Sequence, residues 1–340
     1  MWFVFRFWAR ISRLNFGAIV LSALSVIILS SIIIYAIEPE TFEKPSDAAW
    51  LVMTTVYTVG YGDLSPKTFE GRMFFMLFVY PIGYGTVALF VAKLFDVITS
   101  FRRLREEGKL NFKGSGHYVL IGWSKKTETA IEEILEAESG AQIVLIDERE
   151  TAPLHHHNVH YIKGDASEED TLHRANVLQS RSVSIFSDEK MDALAADGKS
   201  LLIASAVESM SSLHNQSIYT IVEIMKETHL AKFKHAKVNE PVLSTDSVSR
   251  LMAQALLHNG SSEFFYELMS KKEGENLYEV TSRPEWKTYR EAFLALMEEG
   301  AILVWDTQKK AVNNKLNETI PAGSRLFVIC DSTVYERIRN

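Results

Sequence analysis

Two stretches of this chain are too long and too apolar to be ordinary surface helices, and they limit the fold before anything else does. Residues 16–37 form a run of 22 residues without a charged side chain. A helix of that length extends about 33 Å, enough to cross a hydrocarbon core of ~30 Å. Residues 73–91 are also uncharged, and the run continues to Ile98 with only Lys93 and Asp96. No comparable stretch follows Phe101, so the sequence predicts two spans and a water-soluble remainder. The first run exceeds the ~7–15 apolar residues of a signal peptide and is followed by no small-x-small cleavage site.

The placement of charge sets orientation and removes some functions. Arg6, Arg10 and Arg13 precede the first span, and Arg102, Arg103, Arg105 and Lys109 follow the second. The connecting segment instead carries Glu38, Glu40, Glu43, Asp47, Asp63 and Glu70 against Lys44, Lys67 and Arg72. Basic flanks stay inside, so both termini are expected to be cytoplasmic, in a multi-pass protein of the plasma membrane. Residues 1–100 hold seven basic and seven acidic side chains, so the net charge of −7 belongs to the soluble part. Nucleic acid would want the opposite sign. Cys330 is the single cysteine, which excludes an intrachain disulfide and a cysteine-based zinc site.

Residues 1–15 read as an interfacial helix, with three arginines on one face and aromatic rings around them. Pro45-Ser46-Asp47 reads as a helix start, Ser46 capping and Asp47 favoured by the dipole. That helix should end near Val56, too short to span, and is expected to be re-entrant within a pore domain over residues 16–100. A linker over 101–114 follows. Short β-rich runs at 118–121, 142–146, 159–162, 182–186 and 217–222 then alternate with helical stretches at 127–138, 168–175 and 192–208. This pattern predicts a parallel sheet covered on both faces, over residues 115–245. An amphipathic helix at 246–257 opens a crossover segment reaching residue 274, and a small α+β lobe occupies 275–340. The expected fold is an α-helical membrane pore, two transmembrane helices plus a re-entrant pore helix, joined to an α/β Rossmann-like domain with a small α+β C-terminal lobe.

Directly after the short helix comes Thr54-Thr55-Val56-Tyr57-Thr58-Val59-Gly60-Tyr61-Gly62-Asp63. Glycine at alternate positions permits backbone conformations that aim successive carbonyls the same way. The segment Thr58-Val59-Gly60-Tyr61-Gly62 closely resembles the selectivity filter of potassium channels, in which four chains supply rings of carbonyl oxygen to a dehydrated ion. The resemblance implies K+ as the permeant ion, a homotetramer, and filter support from Trp50, Thr55 and Asp63. In the second span Pro81, Gly83 and Gly85 loosen the helix. Inner helices of resembling channels bend there to open, which makes Pro81, Gly83, Gly85 and Ala88 the gate and hinge candidates. No arginine-rich span is present, so steep voltage sensing is not expected.

Tyr118-Val119-Leu120-Ile121-Gly122-Trp123-Ser124, residues 143–147, Gly164-Asp165-Ala166-Ser167 and Ala175-Asn176-Val177 resemble the RCK domain, the regulator of potassium conductance. With the filter, nearly the whole chain resembles two-span prokaryotic channels of the calcium-gated type. The resemblance implies a cytoplasmic ring of paired RCK domains, joined in some relatives by additional soluble RCK subunits. It also implies a regulatory ligand, either Ca2+ or another divalent cation, or an adenine nucleotide. The dinucleotide fingerprint needs three glycines and only Gly122 is present, so a redox coenzyme is not expected. Ser124 can hold an anion at a helix start, Asp147 can take a ribose hydroxyl, and Asp165 lies in a turn resembling an adenine contact. The acids of the calcium-gated relatives match Glu223, Met225 and Phe186 here, so one carboxylate survives and the divalent site is unassigned. The candidate ligand residues are Gly122, Ser124, Asp147, Asp165 and Glu223. His155-His156-His157 reads as a polar loop, since consecutive rings point apart and no fourth ligand is near. No nucleophile–base constellation suggests an enzyme. Two other readings are a non-conducting regulatory subunit of a K+ transport system and a membrane-tethered nucleotide-dependent enzyme; neither needs a filter.

Overall fold

The computed structural model describes residues 16–271, 274–308, 310–312 and 314–339; the interfacial helix expected at 1–15 lies outside them. The chain divides into two compact units, Met1–Leu104 and Arg105–Asn340.

In the first unit, α1 (Phe16–Ile37) carries no charge. The hydroxyls of Ser22, Ser25 and Ser31 donate to carbonyls three or four residues earlier, so none of these groups needs water. The short helix α2 (Pro45–Val56) begins on Pro45, whose missing N–H is tolerated in a first turn. This moves the cap to residue 44. The expected cap Ser46 sits inside the turn, and the Asp47 carboxylate reaches back to the Lys44 amide at 3.3 Å. Next, α3 (Phe69–Phe74) passes through a π-helical turn, Phe75–Val79, into α4 (Tyr80–Glu106). Residues 101–106, expected as linker, are therefore helical. Ile34, Phe42, Val52, Val56, Phe75 and Val79 form the core. Other large side chains, Leu29, Ile32, Leu77 and Phe95 among them, stay exposed. Residues Phe16–Ile37 and Phe69–Glu106 are long and apolar enough to cross a membrane.

The second unit begins with six parallel strands in the order β3-β2-β1-β4-β5-β6. They are β1 (Tyr118–Ile121), β2 (Ile143–Asp147), β3 (Val159–Lys163), β4 (Ser182–Ile185), β5 (Thr220–Ile224) and β6 (Glu240–Leu243). The first five were expected. β6 was not, because Glu240 and Pro241 obscure a strand; proline is tolerated at the sheet edge it occupies. The strand period of two divides the core, with Val119, Ile121, Val144 and Ile146 on one face and Leu120, Ile143 and Leu145 on the other. The covering helices are α5 (Lys125–Ala137), α6 (Glu169–Arg174), α7 (Ala193–Leu213) and α8 (Leu230–His235), followed by α9 (Ser244–Leu257) and α10 (Ser261–Met269).

The C-terminal lobe is a four-stranded sheet, order β7-β10-β8-β9, with antiparallel pairing throughout. It comprises β7 (Asn276–Thr281), β8 (Ile302–Asp306), β9 (Lys310–Ala311) and β10 (Arg325–Cys330), with α11 (Tyr289–Glu298) and α12 (Ser332–Ile338). Its separate core includes Tyr289, Leu296, Leu303, Leu326 and the buried Cys330.

Candidate functional site

The segment 57–63 after α2 is shaped by that helix's end. The carbonyl of Thr54 accepts the amides of both Val59 (2.8 Å) and Gly60 (3.1 Å), and the Thr55 carbonyl accepts the Thr58 amide at 3.0 Å. From there the backbone alternates. Thr58 (φ 60), Gly60 (φ 56) and Gly62 (φ 75) are left-handed, while Val59 and Tyr61 between them are not. A uniform strand sends successive carbonyls to opposite sides; a left-handed residue at every second position turns them to one side. Among the described residues, no donor is bonded to the carbonyls of Thr58, Val59, Gly60 or Tyr61. Four consecutive backbone acceptors are thus left for something outside the chain. Thr58 is β-branched in the left-handed region, a strained conformation.

Two contacts hold this segment from the side. The Trp50 indole N–H donates to the Asp63 carboxylate at 2.9 Å, and the Trp50 and Tyr61 rings stack at 5.6 Å. Thr55 supports the turn through its carbonyl. A residue that sequence reasoning treated only as a charge is Glu38. Its carboxylate accepts the amides of Lys67 (3.0 Å) and Thr68 (2.9 Å) and the Thr68 hydroxyl (2.6 Å). It thereby anchors the return from Asp63 to α3.

The four gate candidates separate into different environments. Gly83 is buried, and a Cβ there would lie 2.7 Å from Val56 Cγ2 on α2. Gly85 is open, with nothing within 4 Å of a Cβ. Pro81 lacks the N–H that would bond the Leu77 carbonyl, and the π turn just before it carries a Tyr80 N–H bond to Phe75, five residues back. Ala88 is exposed. Gly83→Ala should lower the melting temperature of the purified protein, overpacking costing about 1–3 kcal/mol. Gly85→Ala should leave it unchanged or raise it, since alanine's helix propensity contributes up to ~1 kcal/mol of stability. Equal melting of the two variants would remove the distinction.

In the second unit, a cavity of about 680 Å³ opens over the C-terminal ends of β1, β2 and β4. Strand order reverses between β1 and β4, and such a switch point leaves a crevice at the strand ends. Gly122, Ser124 and Asp147 line it, as do Gly164 and Ala166 on either side of Asp165. A Cβ added at Gly122 (φ +88) would lie 3.0 Å from the Phe186 carbonyl oxygen. Ser124 caps α5. The Asp147 carboxylate accepts the amides of Trp123 (2.8 Å) and Arg149 (3.1 Å), so it shapes the loop that it borders. Hydrogen bonds from the Ser167 amide and hydroxyl hold the Asp165 carboxyl below the usual range.

Glu223 is not in this wall. It is 7% exposed, with one oxygen 2.6 Å from the Lys126 ammonium and the other accepting the Ser187 amide at 3.0 Å. Lys126 also meets Glu189 at 3.0 Å. Sequence reasoning missed Ser187 and Lys199, both in the cavity wall. The Ser187 hydroxyl is buried with no hydrogen-bond partner. The Glu148 carboxylate, 2.7 Å from Lys199, holds that ammonium above the ordinary lysine value against burial. Position just past a parallel strand at the switch point was the available signal for Ser187. Among the described residues no three potential metal ligands cluster.

Comparison with known proteins gives two family matches: an ion channel family over residues 22–100 and the TrkA-N domain over residues 118–244. A Bacillus subtilis (strain 168) protein, the candidate potassium channel protein YugO, is 34% identical over 68% of this chain and 69% of its own length. The calcium-gated potassium channel TvoK of Thermoplasma volcanium is 28% identical over 68% of this chain, a match that spans 66% of that relative. The human SLO3 gating ring matches 65% of this chain and 46% of its own, at 13% identity and a TM-score of 0.50, a likeness of fold. With two apolar spans and this pairing of domains, the chain is a membrane protein, and it belongs to the family of prokaryotic potassium channels that join an ion-channel pore to a TrkA-N (RCK) domain.

Proposed function

We propose that four copies of this chain form a potassium-selective pore in the plasma membrane, with both termini cytoplasmic, gated by a ligand that binds the cytoplasmic RCK domain. The observation that carries the pore is the row of four free carbonyls at Thr58–Tyr61, alternately set by left-handed residues. Repeated about an axis, they substitute for the water a K+ ion sheds. The C-terminal end of α2 leads into that row, and its partial negative charge favours a cation. Pro81 and Gly85, with Ala88 beyond, are the points at which α4 gives way on opening; Gly83 is its contact with α2. The working parts are the pore at 16–100, the Rossmann lobe at 115–245, the crossover helices at 246–274 and the C-lobe at 275–340. Helices α9 and α10 leave Met252, Leu256, Leu257, Phe264 and Met269 exposed. These faces suit pairing with a second RCK domain, either of another subunit or of a soluble copy.

For the ligand, an adenine nucleotide fits the site better than a divalent cation. The cavity has room for one, offers the N-terminal amides of α5 to phosphate, and holds the unpartnered Ser187 hydroxyl. Glu223, the surviving acid of the cation reading, already has Lys126 as its counter-charge. A channel role also leaves the enzyme and regulatory-subunit readings without support from the filter geometry.

Reconstitution in liposomes tests the pore: K+ flux that excludes Na+ supports it, and intact tetramers without flux overturn it. Binding of ATP, ADP, NADH and Ca2+ to the full-length protein tests the ligand. Asp147→Ala should weaken nucleotide binding about tenfold or more, the loss of one charged hydrogen bond plus the loop it shapes. Its K+ selectivity should be unchanged. Tight Ca2+ binding with no nucleotide binding would reverse the assignment.

A further inference from the structure

The segment between α4 and β1 is strapped to the Rossmann lobe along its length. The Ala152 amide donates to the Glu106 carbonyl, and the Lys163 amide to the Gly108 carbonyl at 3.0 Å; the Arg174 guanidinium also reaches Gly108. Farther along, the Phe112 amide donates to the Arg174 carbonyl (2.8 Å) and the Gly116 amide to the Gln179 carbonyl (2.7 Å). At the centre, the Phe112 ring packs against two imidazoles, 4.5 Å from His117 and 5.5 Å from His160.

The hydrogen bonds fix the tautomer. His160 Nε2 is 2.8 Å from the Leu110 carbonyl and His117 Nε2 is 3.0 Å from the Ala175 carbonyl, so both Nε2 atoms carry the hydrogen and donate. That leaves Nδ1 of His117 as a bare lone pair. It is buried and has no hydrogen-bond partner, and His117 is 0% exposed. A proton arriving there would create a charged donor with no acceptor, in a place where water does not reach. The charges around the pair oppose it as well. On the strap Glu107 and Lys109 pair with each other at 2.6 Å, and on β3 Lys163 pairs with Glu150 at 2.6 Å. The charges that act on His160 are those of Arg105 and Arg174, and His160 in turn acts on His117.

We propose that residues 107–117 form a proton-operated clasp, closed while His117 and His160 are neutral and released from the Rossmann lobe when they take up protons. Burial holds both imidazoles below the ordinary histidine value while the clasp is closed, against the opposite pull of the Ala175 and Leu110 carbonyls; Arg105 and Arg174 add to it at His160, and a charged His160 adds to it at His117. Released, each returns toward about 6.5. The sign follows: the open strap binds more protons, so the clasp is fully stable above about pH 6.5 and loses stability as the pH falls below it. Each pKa unit between the two states shifts the opening equilibrium about tenfold at low pH. The consequence for gating, loss of ligand control in an acid cytoplasm, rests on the reading of this unit as the gate's controller. The release itself does not.

Hydrogen exchange on the full-length protein in lipid nanodiscs separates the two. Between about pH 7.5 and about pH 5.5, either side of the ordinary histidine value, protection at Phe112 and Gly116 should fall at least about tenfold after correction for intrinsic rates, while Leu145 in β2 keeps its protection. Glutamine preserves an N–H near the Nε2 position without titrating. His160→Gln alone should shrink the drop, and His117→Gln with His160→Gln should abolish it. Equal protection at both pH values, or an undiminished drop in His160→Gln, overturns the proposal. Neither result depends on whether a ligand gates the pore.

Discussion

Gly60→Ala channels will assemble and carry no potassium-selective flux. Room is not the obstacle, since a Cβ at Gly60 would meet no atom within 4 Å. The obstacle is φ 56, where a side chain costs about 1–2 kcal/mol in each copy, repeated around the pore. The backbone escapes that cost by leaving the left-handed region, and the rotation turns a carbonyl out of the row set by Thr58, Gly60 and Gly62. One missing ring of oxygens is enough, because a dehydrated ion has no water to replace it. Flux of K+ and Na+ into liposomes, beside native mass spectrometry of the same preparation, checks both halves. Wild-type flux from Gly60→Ala tetramers would show that the alternation is not what forms the rings.

The second large effect is expected at Glu38. Its carboxylate is 2% exposed and serves the amides of Lys67 and Thr68 and the Thr68 hydroxyl. Glu38→Ala leaves those donors without an acceptor, at about 1–3 kcal/mol for each amide left buried. Gly71→Ala should do comparable harm from the other side, because its Cβ would come 2.1 Å from Glu38 Oε1. Burial pushes the Glu38 carboxyl up, but the Thr68 hydroxyl, the Lys67 and Thr68 amides and Thr41 together hold it below the ordinary range. A carboxyl depressed in the folded state stabilises it at neutral pH, and the contribution is lost as the pH falls below about 4.5 through the depressed value. Melting of the purified protein across pH should therefore show an acid-dependent loss in the wild type that Glu38→Ala lacks. Between Asp63, held by Trp50, and Lys67, held by Glu38, only three residues intervene. Currents from Glu38→Ala should accordingly decay during sustained opening. Stable currents with unchanged melting would reduce Glu38 to a surface charge.

How much could be read without coordinates differed sharply between the two units. In the first unit, the two apolar helices, the short helix between them and the alternating backbone at residues 58–62 are local in sequence, so period, length and a glycine pattern were enough to anticipate them. The error at Ser46 was one of register within a single turn. The parallel sheet was legible from alternation of strands and helices, except β6, where Pro241 at an edge strand hid the signal. The cavity proposed as the ligand site was legible only in part. Gly122, Ser124 and Asp147 stand at strand ends, where the rule for doubly wound sheets points. Ser187, just past the end of β4, and Lys199 in α7 are distant in sequence and meet the others only because β4 lies beside β1.

The sequence by itself determined that this chain holds two stretches long and apolar enough to cross a membrane and a segment, residues 58–62, that resembles a potassium filter, because hydrophobic length and backbone permissiveness are properties of consecutive residues. Tertiary structure alone decided which charges find partners. Glu38 reaches residues 67 and 68, Lys126 neutralises Glu223, and His117 and His160 close on Phe112. Such pairings depend on how separate elements pack, and no local pattern encodes the distance between them.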